Sequence, residues 1–110
     1  MSPRGRKANG ARRRTDRLGE YLLRLYVTGA TTRSVRAIEN VRRICEEHLS
    51  GRYSLEVVDL YKNLPLARAD QILATPTLVK RSPLPLRHLV GDLSNVARVL
   101  SGLALKPRLP

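Results

Sequence analysis

Between Tyr21 and Leu60 the spacing of apolar residues changes period twice, and few architectures accommodate that. Tyr21-Leu22-Leu23-Arg24-Leu25-Tyr26-Val27 is apolar on both faces, as a central strand covered on both sides must be. Thr28-Gly29-Ala30-Thr31-Thr32 breaks the run, and Thr31 or Thr32 suits the N-cap of a helix. From Arg33 the period becomes helical, with Val35, Ile38, Val41, Cys45 and Leu49 on one stripe. Ser50-Gly51 closes that helix, with Gly51 in the left-handed position. Tyr53 to Leu60 then alternates and becomes apolar on both faces. Strand, helix and strand in this order make a parallel βαβ unit.

The second half is more broken. Lys62-Asn63-Leu64-Pro65 is a turn, and Pro65 opens a short helix over residues 66–72. Leu66, Ala69 and Ile72 are expected inward, with Arg68, Asp70 and Gln71 outward. Thr77-Leu78-Val79 reads as a strand entered through Pro76, a position where a sheet tolerates proline. Ser82-Pro83-Leu84-Pro85 turns the chain, and residues 87–91 form an edge strand. Asp92 or Ser94 caps a last helix, whose stripe is Val96, Val99, Leu100 and Leu103. The order β-α-β-α-β-β-α is the thioredoxin-like architecture, in which a proline, often cis, enters the third strand.

The chemistry of that architecture is missing at the expected place. A redox site needs a thiolate at the start of the first helix, where free N–H groups and the helix dipole lower its pKa. Here that place holds Thr28 to Thr32, and the single cysteine, Cys45, lies on the apolar stripe. One cysteine also excludes an intramolecular disulfide and a cysteine zinc cluster. His48 and His88 have no ligand at metal spacing and are expected at the surface. No nucleophile elbow and no glycine-rich phosphate loop occurs. The reading is a binding protein without catalytic residues, metal or cofactor. No apolar run reaches the ~18 residues of a membrane span, and the expected address is cytoplasmic.

The formal net charge is +12, and it is concentrated. Residues 1–17 carry Arg4, Arg6, Lys7, Arg12, Arg13, Arg14 and Arg17 against the one acid Asp16. With almost no large apolar group, this arm cannot offset the entropy of ordering and is expected to be disordered. It would seek a polyanion, either nucleic acid or an acidic protein face. The only aromatics are Tyr21, Tyr26, Tyr53 and Tyr61, which offer no base-stacking platform. The expected layout is a basic arm over 1–17, one domain over 18–106 and a frayed end over 107–110.

Several stretches together resemble the KaiB family of circadian clock proteins over roughly residues 22–103. They are Leu25-Tyr26-Val27-Thr28-Gly29, Ser34-Val35-Arg36-Ala37 and Val58-Asp59-Leu60-Tyr61-Lys62-Asn63-Leu64-Pro65-Leu66-Ala67. Ile72-Leu73-Ala74-Thr75-Pro76-Thr77-Leu78-Val79-Lys80, Pro83-Leu84-Pro85-Leu86-Arg87, Gly91-Asp92-Leu93-Ser94-Asn95 and Val99-Leu100-Ser101-Gly102-Leu103 follow in order. The resemblance implies a metamorphic protein. Its ground state would have β-α-β-β-α-α-β order and form dimers or tetramers, and a rarer monomer would be thioredoxin-like. That monomer would bind a KaiC-like ATPase ring, sequester KaiA and compete with sensor histidine kinases whose input domain is thioredoxin-like. By matched position, Lys62, Asn63, Lys80 and Arg87 would face partners, with Arg24 and Arg36 second. Gly29, Pro76 and Gly102 match positions tied to backbone conformation. Pro83, Pro85 and Ala104 join them as candidate switch positions, since X–Pro bonds isomerise slowly and the family pattern has an acid where Ala104 stands. The basic arm, and Lys106 to Pro110 in place of an acidic tail, also depart from that pattern. The expectation is therefore a divergent paralogue or a homologue outside the cyanobacteria, serving a KaiC-like ATPase in stress or simple timing.

Overall fold

A computed structural model of the protein describes residues 20–105, so the basic arm and the last five residues lie outside it. The expected element order is present. Strand β1 is Tyr21–Val27, helix α1 is Thr32–His48 and strand β2 is Tyr53–Asp59. A 3₁₀ turn over Leu60–Lys62 leads into helix α2, Leu64–Ala69. Strands β3 (Thr77–Ser82) and β4 (Arg87–Val90) and helix α3 (Val96–Gly102) complete the chain. The strands form one sheet in the order β2-β1-β3-β4. β1 and β2 are parallel in register from Tyr21–Tyr53 to Val27–Asp59. β3 runs antiparallel to β1, and β4 antiparallel to β3. The bond before Pro76 is cis, as are those before Pro83 and Pro85. Among the described residues, no helix is long and apolar enough to cross a membrane.

Alternation along β1 divides the core in two. Tyr21, Leu23, Leu25 and Val27 face α1 and α3 and pack with Val41, Ile44, Leu78, Leu100 and Leu103. Tyr26, on the other side, packs with Val58, Ala67 and Val79 under α2. The first cluster is large and the second small, so one short helix covers the second face.

Helix α1 is turned slightly from the expected stripe. Val35 is exposed, while Ser34, Ala37, Val41, Ile44 and Cys45 are buried. Ser34 goes inward because its hydroxyl has partners there. Its Oγ accepts the Thr28 N–H at 3.1 Å and the Thr31 hydroxyl at 2.9 Å. Thr31 is the N-cap and accepts the Ser34 N–H at 3.2 Å. In α2 the inward residue is Ala67 rather than Ala69, which is exposed. The cap of α3 is Asn95, whose side chain accepts the Arg98 N–H at 3.1 Å, not Asp92 or Ser94.

Two helices end in the same way. The Gln71 and Ile72 amides close α2 on Arg68 and Ala67, and the Ala104 and Leu105 amides close α3 on Ser101 and Leu100. These are Schellman closures, whose left-handed position favours glycine. Here it holds Gln71 at φ +58° and Ala104 at φ +60°. Leu93 is also left-handed, at φ +63°, whereas Gly29 and Gly51 take such positions in the first half of the chain. A left-handed side-chain-bearing residue costs about 1–2 kcal/mol. Ala104→Gly is therefore expected to raise the stability of this fold by about 1 kcal/mol. Urea unfolding would show a higher midpoint at unchanged slope.

Candidate docking surfaces

The start of α1, where a thiol would act, is a hydroxyl cluster. Thr28, Thr31 and Ser34 bond one another there, and the Thr75 hydroxyl reaches Thr28 Oγ1 at 3.4 Å. Cys45 is 1% exposed in the main core. Burial, with a contribution from Glu46, pushes its thiol up to about 12, so no thiolate exists there at neutral pH. Among the described residues, no group of three or more His, Cys, Asp and Glu could hold a metal ion. His88 is exposed, but the His48 side chain is only 13% exposed and lies 4.0 Å from Glu47, against the expectation of a surface position.

The polar side chains of the sheet gather under α2. Arg24 stands alone among apolar residues of β1 and points to the α2 face. Its Nε donates to Glu56 Oε1 at 2.9 Å and its Nη1 to Asp70 Oδ2 at 3.0 Å. Arg81 Nη1 reaches Asp70 Oδ1 at 3.0 Å, and the buried Tyr26 hydroxyl donates to Asp70 Oδ2 at 2.5 Å. Asp70, the C-cap of α2, thus takes three donors from two strands. Its side chain is 13% exposed, against the expectation that it points outward. Burial alone would raise its carboxyl, but the bonds from Tyr26 and Arg24 and the charges of Arg81 and Arg24 hold it below the ordinary range. The legible signal was Arg24, because a cation inside an apolar strand needs an acid on the element that covers it.

The residues matched to partner contact do not form one patch. Lys62 and Asn63 are exposed at the junction into α2, beside Tyr61 and Leu64, which are also exposed. Arg36 is exposed on α1, and Arg87 on the edge strand β4. Arg24 is engaged under α2. Lys80 is not at the surface in this fold: it is 1% exposed, with Leu23 and Arg87 as strand neighbours. Burial, then the charge of Arg87, pushes its ammonium down from the ordinary value. Near the end of α3, a Cβ on Gly102 would stand 2.4 Å from Leu89 Cδ2, so glycine lets the helix approach β4 closely.

Comparison with known proteins agrees with this arrangement. Residues 24–105 match the KaiB domain family. The circadian clock oscillator protein KaiB of Synechococcus elongatus is 52% identical over 85 residues, which are 77% of this chain and 83% of that protein. Among solved structures, the N-terminal domain of Synechococcus elongatus SasA superposes with a TM-score of 0.67 at 20% identity, covering 88% of this chain and 95% of that one. Mitochondrial thioredoxin 3 of Saccharomyces cerevisiae gives 0.64 at 12% identity, over 79% of each chain. The two structural likenesses establish a thioredoxin-like fold. The match to the family domain and the sequence identity to its members establish the rest: this chain belongs to the KaiB family of circadian clock proteins.

Proposed function

We propose that the chain is a non-enzymatic regulator that binds a KaiC-like ATPase ring in the thioredoxin-like form and modulates the ring's phosphorylation and ATPase cycle. The observation that carries this reading is the pairing of a KaiB-family sequence with a fold close to the SasA N-terminal domain. A second packing of β-α-β-β-α-α-β order would act as the resting, oligomeric form. Two packings of one chain coexist when they differ by only a few kcal/mol, and the left-handed Gln71, Leu93 and Ala104 lower the margin of this one. Lys62, Asn63, Arg87 and Arg36 would present charge and hydrogen-bond donors to an acidic ring surface, which chiefly raises association rate and specificity.

The likeness to the SasA domain also favours competition with such a domain for one docking surface. Sequestration of KaiA is the further partner contact. Gel filtration of the full chain with a KaiC-like ring and nucleotide is expected to show co-elution after a day of incubation. Failure to co-elute with any of several such rings would overturn the reading.

A further inference from the structure

A cleft of about 380 Å³ opens between the edge strand β4, the loop 91–95, the start of α3 and the first turn of α1. Its volume lies within the range of about 300–1,000 Å³ typical of ligand sites. Leu89, Leu93 and Val99 give it an apolar floor, and the side chain of Val90, exposed, stands at its rim. The loop is already braced. The Gly91 N–H bonds Pro76 O at 2.9 Å, and Asn40 Nδ2 bonds Asp92 O at 2.9 Å. Asp92 Oδ1 accepts the Ser94 N–H at 3.1 Å, and Asn95 Oδ1 accepts the Arg98 N–H at 3.1 Å. The side-chain acceptors of Asp92 and Asn95 are thus engaged within the loop and the helix cap.

The guanidinium donors are not hydrogen-bonded. Among the described residues, the Arg33 and Arg98 guanidinium groups make no hydrogen bond or close ion pair, although the charge of Arg33 acts on Asp92, and both line the cleft. Guanidinium donates and never accepts, and its fork fits a carboxylate in two parallel bonds. Asp92 is the one acid in the lining, against two arginines. A fitting occupant therefore carries a carboxylate beside an aliphatic group. The cleft also lies along β4, a sheet edge whose outer backbone groups no described strand pairs. An extended segment can run along such an edge.

We infer that this cleft receives an acidic segment of a partner protein, with a Glu or Asp between Arg33 and Arg98 and a neighbouring Leu or Val on the floor. The formal charge of +12 favours a partner of opposite sign. The inference goes beyond the ATPase reading and does not require it, because a peptide probe tests it with no ring present.

The test is a titration of the ¹⁵N-labelled full chain with the peptide acetyl-Val-Glu-Leu-Asp-Val-amide, followed by amide shifts. Saturable shifts are expected across residues 89–99 and at Arg33, weakening as salt is added. The Arg33→Gln, Arg98→Gln double variant should bind about tenfold more weakly. Both arginines are exposed, so its spectrum should stay dispersed. Arg68→Gln, at an exposed residue of α2, should bind as the parent does. The Gln/Asn version of the peptide and sodium acetate should both leave the cleft amides unmoved. Equal binding of the uncharged peptide, shifts centred elsewhere, or unchanged binding by the double variant would overturn the inference. Shifts reproduced by acetate would replace it with a simple anion site.

Discussion

Asp70→Ala is expected to destabilise the thioredoxin-like fold by about 2 kcal/mol at neutral pH. Removing one partner of a buried ion pair costs about 3–5 kcal/mol, because the remaining charge is left uncompensated. The lower figure applies here because Arg81 is 43% exposed and regains water when its acceptor goes. Arg24, at 16% exposure, keeps Glu56 but loses its second partner. The Tyr26 hydroxyl loses its carboxylate acceptor and keeps the Leu66 carbonyl, at 3.2 Å. Because α2 is the helix that covers that face among the described residues, amide exchange should quicken most over residues 64–72.

The pH dependence has a definite sign. Asp70 has a lower pKa when folded than when unfolded, so it contributes stability above the ordinary carboxyl range. That contribution disappears as pH falls through the folded value. Urea unfolding of Asp70→Asn, compared with the parent from neutral pH down to about pH 3, should therefore show a flatter acid limb. A parallel acid limb in the two proteins would show that the Asp70 cluster adds nothing. A double-mutant cycle with Arg24 would isolate the pair.

Lys80→Met moves stability the other way, raising it by about 1–2 kcal/mol. Exchanging buried charge for an apolar side chain of similar volume is often stabilising by about 1–4 kcal/mol. Here no described acid partners the ammonium, and Arg87 opposite adds repulsion. The pH test again has a sign. The folded Lys80 releases its proton below the ordinary value of 10.5. Between the two pKa values the unfolded chain holds more protons, so parent stability should rise with pH there. Lys80→Met should lack that rise in paired urea curves at neutral and alkaline pH. If the parent proves the more stable of the two at neutral pH, the lysine has a partner that this picture omits. Should docking onto an ATPase ring need Lys80 at the surface, the same variant gains stability and loses the complex.

What could be read from the residues divides along the chain. Tyr21 to Asp59 was legible because long elements repeat their period, and one misplaced residue does not hide it. Val35 shows the limit of that reading. Apolar spacing placed it on the buried stripe, yet Ser34 is buried because Thr28 and Thr31 supply bonds that only the folded turn brings near. Asp70 looked like a solvated charge on a short helix, since its donors lie 46 residues earlier in β1 and 11 later in β3. Lys80 was expected to face partners only by its matched position in the family, and the residues of the strand alone do not show that its side chain is buried in this fold. Asn95 became the cap through the geometry of a loop that also engages Asp92. Gly51, Pro76 and Leu103, by contrast, stand as local chemistry required.

The handed positions of the backbone carry one more consequence. Among the described residues, the left-handed sites up to residue 51 are glycines, which adopt them freely, and three of the four from residue 71 on carry side chains. Any rearrangement that straightened Gln71, Leu93 and Ala104 would recover the strain of all three at once, while β1, α1 and β2 would have nothing to recover. The strain of this fold therefore lies in its back half, which is where a second packing of the kind proposed above would have the most to gain.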